Sequence, residues 1–284
     1  MLPLDDYIKN QLDQHLEQIG VCLDADIISM IGPIFPNREI AIRDVIEGLH
    51  PRQKCLGIIL DTNGGVVEVV ERIVYTIRHF YPEELVFLVP NRAMSAGTVL
   101  VMSGDRIFMN YFSCLGPIDP QIIRGGSLVP AQSYVEKFKE LVEKSKSGQL
   151  TAAEYALLTK LDLGELGQFE QADKLSTELI EKWLVKYKFK NWQFTETKRE
   201  PVSHQKKEQT ANRIAIALSD YAKWHSHGRA IDMKTLMTDD IALKIDEFSS
   251  IPGLEEEVQK YFGLLVDYLR RHQMETFIHS REYF

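Results

Sequence analysis

The stretch VPNRAMSAGTVLVMSGDRIFMN, residues 89–110, decides the fold of this chain. It continues the apolar segment LVFLVP at 85–90, passes through a run of small residues around Ser95, and ends in a second short apolar segment, DRIFMN. The pattern predicts a buried strand, a turn, a helix that starts at about Ser95, and another strand. The serine hydroxyl either caps that helix or is offered to a substrate.

Segments on the amino-terminal side of this stretch alternate in the same way. KCLGIILDTNGG, residues 54–65, is an apolar strand that ends in a turn with adjacent glycines, and VVEVVERIVYTIRHF, 66–80, has helical spacing. This order is typical of parallel βαβ units, and continuous apolar strands indicate a sheet that is covered on both faces. Apolar spacing predicts further helices at 4–19, 39–49, 131–145, 208–224 and 254–276, and a mostly helical segment at 150–187.

Composition argues against several classes of protein. The net charge of −8 over 284 residues argues against a nucleic-acid-binding protein. Cys22, Cys55 and Cys114 are far apart, so we expect neither a disulfide framework nor a zinc site, and no metal or other cofactor is predicted. The sequence has no signal-peptide pattern and no apolar run of roughly 20 residues. We therefore expect a cytoplasmic protein, which leaves a membrane-protein partner open.

Two groups of main-chain donors frame Ser95. Gly64 and Gly65 follow a buried strand and can adopt φ > 0, which lets N–H groups approach a ligand closely. At the helix start, the first N–H groups, including that of Ala96, lack partners within the helix and favour negative charge. If the two strands are neighbours, the Gly65 and Ala96 amides form an oxyanion hole, where one donor is worth about 3 kcal/mol. The plain alternatives are an ordinary turn and a helix cap worth about 1 kcal/mol.

The motifs at these positions resemble one family of proteins. LDTNGGVVEVVERI at 60–73 and NRAMSAGTVLVMSGDRIFMNYFSCLGPIDPQI at 91–122 resemble the serine dehydrogenase proteinase family. This family belongs to a wider group with the Clp protease proteolytic subunit, signal peptide peptidase A and the membrane-bound ClpP-class peptidases. The resemblance covers about residues 50–190, and 222–232 more weakly. It implies an α/β, ClpP/crotonase-like fold, a stacked ββα superhelix with a mostly parallel sheet. It also implies Ser95 as nucleophile and Gly65 and Ala96 as oxyanion-hole residues.

The general base does not follow from the same motifs. The Clp subunit has a histidine about 25 residues after its nucleophile, where this chain has Asp119 and Pro120, so a Ser-His-Asp triad is not expected. Relatives with the same loss use a Ser–Lys dyad, whose lysine must be desolvated because the free amine, with a pKa of about 10.4, keeps its proton at neutral pH. The resemblance to the ClpP-class membrane peptidases favours Lys139 as the base. The alternatives are Lys137, Lys144 and Lys146, and each of the four can also be a solvated lysine on a helix face.

Two further positions carry candidate polar groups. Asp119 either orients the lysine ammonium or caps its own loop, and we interpret it, together with Gly64, as a wall of the substrate groove. His225 and His227 are two residues apart, a spacing that does not place two metal ligands on one helix face. The segment HSHGR is therefore expected to start a helix that packs against the core.

The sequence predicts a serine endopeptidase of the Ser–Lys dyad type that cuts polypeptides through an acyl-enzyme. The first alternative is a crotonase-type acyl-CoA enzyme, in which the same paired amides stabilise an enolate, and the second is a catalytically inactive ClpP-like interaction module. We expect a ClpP/crotonase-like catalytic domain at 1–195 and a helical C-terminal extension at 196–284. The resemblance also implies a homo-oligomer.

Overall fold

Parallel strands with branched apolar side chains form the centre of the molecule. The computed structural model describes residues 3–124, 127–159, 163–195, 199–238 and 240–284. Every residue of the first strand is buried, and so is all but the last residue of the second, as in a sheet covered on both faces. The strands are β1 Ala25–Ile31, β2 Cys55–Asp61, β3 Glu84–Leu88, β4 Arg92–Ala93, β5 Arg106–Met109, β6 Cys114–Leu115, β7 Gln121–Arg124, β8 Ser127–Pro130, β9 Ile231–Asp232, β10 Asp246–Glu247 and β11 Phe277–Ser280.

The main sheet has the strand order β10-β5-β3-β2-β1-β11 within the described residues. Its first five strands run parallel, and β11 pairs with β1 in the antiparallel direction. A small second sheet has the order β4-β6-β9, in which β4 and β6 are parallel and β9 is antiparallel to β6. β7 and β8 form an antiparallel hairpin. The predicted α/β class with a mostly parallel sheet is confirmed.

Helices cover both faces of the main sheet. They are α1 Pro3–Leu23, α2 Arg38–Gly48, α3 Val67–Phe80, α4 Ala96–Val101, α5 Ala131–Lys146, α6 Ala152–Leu158, α7 Leu163–Trp183, α8 His204–Ser219, α9 Tyr221–Trp224, α10 Met233–Met237 and α11 Leu254–Arg271, with a π-helical turn at Leu184–Lys188 and a 3₁₀ turn at Phe248–Ser250. Within the ranges given above, no helix is both long enough and apolar enough to cross a bilayer.

Alternate side chains of each central strand enter two different cores. Ile28 and Ile58 pack with α2, α3 and α7 on one face of the sheet. Ile27 and Ile59, their neighbours along the strands, pack with α1 and α11 on the other face. Successive strand residues point to opposite faces, so a run such as GIIL in β2 supplies both layers at once.

The carboxyl ends of β2 and β3 position the candidate functional residues. β2 ends at Asp61 and leads into the turn of residues 62–65, while β3 ends at Leu88 and leads through β4 to Ser95. Because β2 and β3 are parallel neighbours, both connections leave the sheet at the end where the strands have their carboxyl termini. Ligand sites of open parallel sheets lie at this end.

The segment after residue 195 contains strands as well as helices. It supplies β9 to the small sheet, and β10 and β11 form the two edges of the main sheet. The sequence analysis described this segment as a helical extension and did not predict these short strands. The helices predicted at 4–19, 39–49, 66–80, 131–145 and 254–276 are confirmed as α1, α2, α3, α5 and α11. The domain boundary at residue 195 stays a prediction.

Candidate active site

Ser95 lies in a strained turn between β4 and α4. Its backbone angles are φ 53° and ψ −120°, a combination that costs a residue with a side chain about 1–3 kcal/mol. Neighbouring main-chain groups hold the turn in place. The Met94 N–H donates to the Thr62 carbonyl at 3.0 Å, and the Gly97 N–H donates to the Met94 carbonyl at 2.8 Å. The strain is therefore fixed by the end of β2 on one side and by α4 on the other.

The Ser95 hydroxyl does not cap α4. Its side chain makes no capping hydrogen bond, and no group of the described residues forms a hydrogen bond with its Oγ. The residue is partly exposed, whereas Ala96, Gly97 and Thr98 after it are buried. The sequence left two roles open for this hydroxyl, a helix cap and a group offered to a substrate. Ser95 does not act as a helix cap.

The turn Asn63-Gly64-Gly65 packs directly on Ser95. Gly64 has φ 100°, and a Cβ at this position would lie 2.8 Å from Ser95 Cβ and 3.2 Å from the Ala96 nitrogen. Gly65 has φ 152°, and a Cβ there would overlap the Ile34 carbonyl. Both positions require glycine, for conformation and for space. The two βα junctions that the sequence singled out are thus in contact.

The Gly65 and Ala96 N–H groups are unused donors. In the turn, the Gly64 N–H donates to Thr62 Oγ1 at 2.9 Å, and the Ile34 N–H donates to the Gly64 carbonyl at 2.9 Å. The Gly65 and Ala96 N–H groups, by contrast, form no hydrogen bond with any residue that the structure describes. Each of the two junctions therefore keeps one main-chain donor free.

Asp119 forms a pair with a histidine that the sequence analysis did not assign to the site. Its carboxylate is buried, with Oδ1 2.9 Å from His227 Nδ1 and Oδ2 2.6 Å from the Gln121 amide nitrogen. The loop that carries Asp119 lies against the serine turn. A Cβ at Gly116 would approach Met94 Cα to 3.2 Å, and the Gly116 N–H donates to Thr98 Oγ1 at 3.0 Å.

The prediction that HSHGR starts a helix is wrong. α9 ends at Trp224, and His225 adopts φ 63°, which stops the helix. The next residues form a turn that brings His227 back to Asp119 and then leads into β9. No sequence signal pointed to this contact, because the two residues are 108 positions apart.

The candidate lysines lie on α5 and face solvent. Lys139 is exposed. Lys137 pairs with Glu140 at 2.7 Å, and Lys146 pairs with Glu143 at 2.7 Å. Hydrogen bonds to Glu154 and Glu140 raise the pKa of Lys144 to about 12, and a general base needs the opposite shift.

Lys188 has the shifted pKa expected of a lysine base but lies at the wrong edge. Burial lowers its pKa to about 8, while Asp246 and Asp105 oppose this shift. Asp105 directly precedes β5, so Lys188 lies near the amino-terminal end of the strand. Ser95 follows the carboxyl end of β3, a parallel neighbour of β5, and the two residues are therefore on opposite edges of the sheet.

A cleft of about 440 Å³ lies at the carboxyl ends of β1 and β2. Burial raises the pKa of Asp61 in its wall, while Arg92 and Asn91 oppose this shift. The Arg92 Nε is 3.8 Å from Asp61 Oδ1. The lining residues are Ile31, Gly32, Pro33, Asp61, Thr62, Asn63, Arg92 and Glu275. The cleft thus opens beside the glycine turn and has a charged wall.

Two curated relatives are uncharacterized proteins of Methanocaldococcus jannaschii. One is 33% identical over 90 residues, which are 32% of this chain and 30% of the relative. The other is 30% identical over 96 residues, 34% of this chain and 31% of the relative. The chain therefore spans about 30% of the length of the curated relatives it matches.

Two solved structures of the 1510-N membrane-bound stomatin-specific protease are also similar in part. A serine-to-alanine mutant is 20% identical, with a TM-score of 0.33 over 42% of this chain and 62% of that chain. A lysine-to-alanine mutant in complex with a substrate peptide is 22% identical, with a TM-score of 0.33 over 42% of this chain and 58% of that chain.

The family comparison covers strands β1 to β8, from residue 26 onward, and the serine turn. Residues 26–162 match the family model of ClpP-like SDH-type serine proteinases. This range includes the glycine turn, Ser95, Asp119 and α5, and it ends before His227. By this match, residues 26–162 are similar to the ClpP-like SDH-type serine proteinases, and the family resemblance predicted from the sequence is confirmed.

Proposed function

We propose that this chain is a serine peptidase that hydrolyses peptide bonds through an acyl-enzyme on Ser95. The match of residues 26–162 to a family model of serine proteinases supports this class of reaction. The observation that carries the proposal is the Ser95 side chain, which is partly exposed, makes no capping hydrogen bond and sits on a backbone with φ 53°. A strained serine at a strand-to-helix turn is typical of a nucleophile presented to a substrate.

The Gly65 and Ala96 N–H groups form the oxyanion hole in this proposal. Both are free of hydrogen bonds to described residues, and Gly64 holds the two junctions in contact. Fixed donors stabilise the negative charge of a tetrahedral intermediate by about 3 kcal/mol each. The absence of a side chain at residue 64 lets the glycine turn lie directly against Ser95.

The proposal includes a Ser–Lys dyad that is completed by a second copy of the chain. Lys139 is its candidate base, and Lys139 is exposed on α5 in the single chain. A lysine base must be desolvated, so this form requires a second copy of the chain that covers Lys139 and brings it to Ser95. The dyad and the homo-oligomer are therefore one hypothesis, and either an oligomer or another base must complete the site.

The proposed substrate is an extended polypeptide. The Gly65 and Ala96 donors suit the main-chain carbonyl of a peptide. A cytoplasmic location belongs to the same proposal, because Cys22, Cys55 and Cys114 are free thiols, which are typical of a reducing compartment. A membrane-protein partner is compatible with it.

A fluorophosphonate probe tests the nucleophile. The full chain is expected to react with the probe and to hydrolyse fluorescein-labelled casein, whereas Ser95→Ala is expected to do neither. Ser147→Ala is the matched control, because Ser147 is an exposed serine at the end of α5 whose hydroxyl bonds only locally to the Lys144 carbonyl. Probe labelling that persists in Ser95→Ala would remove Ser95 from the reaction. A chain that binds coenzyme A and takes up no probe would favour the acyl-CoA alternative.

A further inference from the structure

In the Asp119–His227 pair, the carboxylate holds one ring nitrogen and leaves the other as a proton acceptor, the arrangement found in catalytic histidines. Asp119 is 1% exposed, and a buried carboxylate requires hydrogen-bond donors on both oxygens. The Gln121 amide supplies one donor at 2.6 Å, and His227 Nδ1 supplies the other at 2.9 Å. Nδ1 must therefore carry the proton, which leaves the lone pair of a neutral imidazole on Nε2.

The Nε2 atom of His227 is available for chemistry. It forms no hydrogen bond with a residue that the structure describes, and the side chain is 25% exposed. The ring is thus fixed at one nitrogen and open at the other.

The small sheet places this pair beside Ser95. Ala93 of β4 is opposite Leu115 of β6, and Leu115 is opposite Ile231 of β9. Beyond these three positions, β4 leads to Ser95 and β6 leads to Asp119, while the antiparallel β9 is entered from His227. All three residues therefore lie at the same end of the sheet. Neighbouring strands are about 4.8 Å apart, so β4 and β9 are separated by about 10 Å.

We propose that His227 is the general base for Ser95 and that Asp119 is its positioning residue. This inference rests on the proposed peptidase function and supplies the other base that was left open there, in place of Lys139. The chain order is serine, aspartate, histidine, so the aspartate occupies the loop where the Clp subunit has its histidine. Triads are defined by geometry and role and not by sequence order.

One nitrogen, His227 Nε2, accepts and returns each proton that the reaction transfers. His227 Nε2 takes the Ser95 proton as Oγ bonds to the peptide carbonyl carbon, and the carbonyl electrons move to oxygen as an oxyanion. When the C–N bond breaks, the imidazolium gives this proton to the leaving amine, and an ester remains on Ser95. Water then gives a proton to Nε2 as its oxygen bonds to the ester carbon. The proton returns to Oγ when the ester bond breaks.

Fluorophosphonate labelling of the full chain tests this assignment. His227→Gln is expected to lower the Ser95-dependent labelling rate by about 100-fold or more, the range for loss of a general base. His225→Gln is the matched control, because it changes an exposed histidine on the same turn and is expected to leave the rate unchanged.

A rescue experiment separates catalysis from folding. His227→Ala removes the ring and leaves space for free imidazole, and added imidazole is expected to restore part of the labelling rate. A histidine with only a structural role would show no such rescue. Labelling that depends on Ser95 but survives His227→Gln overturns this inference and leaves the peptidase proposal standing. No labelling of the unchanged chain overturns both.

Discussion

The molecule contains two histidine–aspartate pairs that are built in opposite ways. In the pair of His227 and Asp119, the carboxylate is buried and the imidazole is open, with its second nitrogen unbonded among the described residues. In the pair of His279 and Asp13, the imidazole is fully buried and the carboxylate is 35% exposed. Both nitrogens of His279 are bonded, because Nε2 lies 2.8 Å from Asp13 and Nδ1 lies 2.9 Å from the Tyr261 hydroxyl.

The difference separates a group arranged for proton transfer from a group arranged for structure. The Tyr261 hydroxyl also lies 2.7 Å from Ser29 Oγ, so the His279 network joins α1, β1, α11 and β11. A saturated buried network rigidifies the elements it connects, and it offers no free lone pair to a substrate. The same two residue types therefore serve different purposes because solvent reaches a different member of each pair.

The largest expected effect distinguishes the two carboxylates. Asp119→Asn is expected to lower the fluorophosphonate labelling rate by about 10²–10⁴-fold, because an amide that donates to Nδ1 moves the imidazole proton to Nε2. Asp13→Asn changes the other pair in the same way and is expected to leave the rate unchanged. Equal rates for the two variants would show that the open pair has no part in the reaction.

A smaller effect distinguishes the two imidazoles by stability. His279→Gln is expected to lower the free energy of unfolding by about 1–3 kcal/mol, the cost of buried groups left without a partner, since Tyr261 and Asp13 would lose their shared neighbour. His227→Gln is expected to cost less, because its ring is partly exposed. Urea unfolding followed by circular dichroism measures both. A larger loss of unfolding free energy for His227→Gln than for His279→Gln would show that His227 is the structural histidine.

The smallest expected effect is a dependence of stability on pH that arises from His279. Burial lowers the pKa of His279 in the folded chain, Asp13 opposes this shift, and Lys9 adds to it. In the unfolded chain the pKa is about 6.5, so the unfolded state binds more protons as the pH falls below that value. The free energy of unfolding is therefore expected to fall below about pH 6.5, by about 1.4 kcal/mol for each unit between the two pKa values.

The His279→Gln variant provides the control for this pH effect. Its free energy of unfolding is expected to vary less between pH 6.5 and 5 than that of the unchanged chain. The same slope in the unchanged chain and in His279→Gln would place the titrating group elsewhere.

The serine side of the site could be predicted from sequence, and the His227 side could not. Gly64, Gly65 and Ser95 lie within one βαβ unit, so the glycine spacing and the apolar strands indicate their meeting point. His227 reaches Asp119 only through β9, a strand of two residues that pairs across the small sheet. Such a strand is too short for an apolar period to reveal it.

The prediction of a lysine base shows the same limit, because the sequence predicts the helix but not what packs against it. A helix at 131–145 was predicted correctly as α5, but its surroundings were not, since solvent exposure depends on which elements pack against it. Lys137, Lys144 and Lys146 pair with nearby glutamates of α5 and α6. Ion pairs of this kind are what an exposed, charged helix face forms by itself.

The pairing of β11 with β1 has a consequence for the synthesis of the protein. Ile31 of β1 is opposite Phe277 of β11, so the chain must leave the ribosome at least as far as residue 277 before the outer edge of the first strand is covered. Until then, a long apolar strand offers free N–H and C=O groups to other nascent chains. A ribosome stalled just before residue 277 should therefore carry an intermediate that needs a chaperone more than the finished protein does.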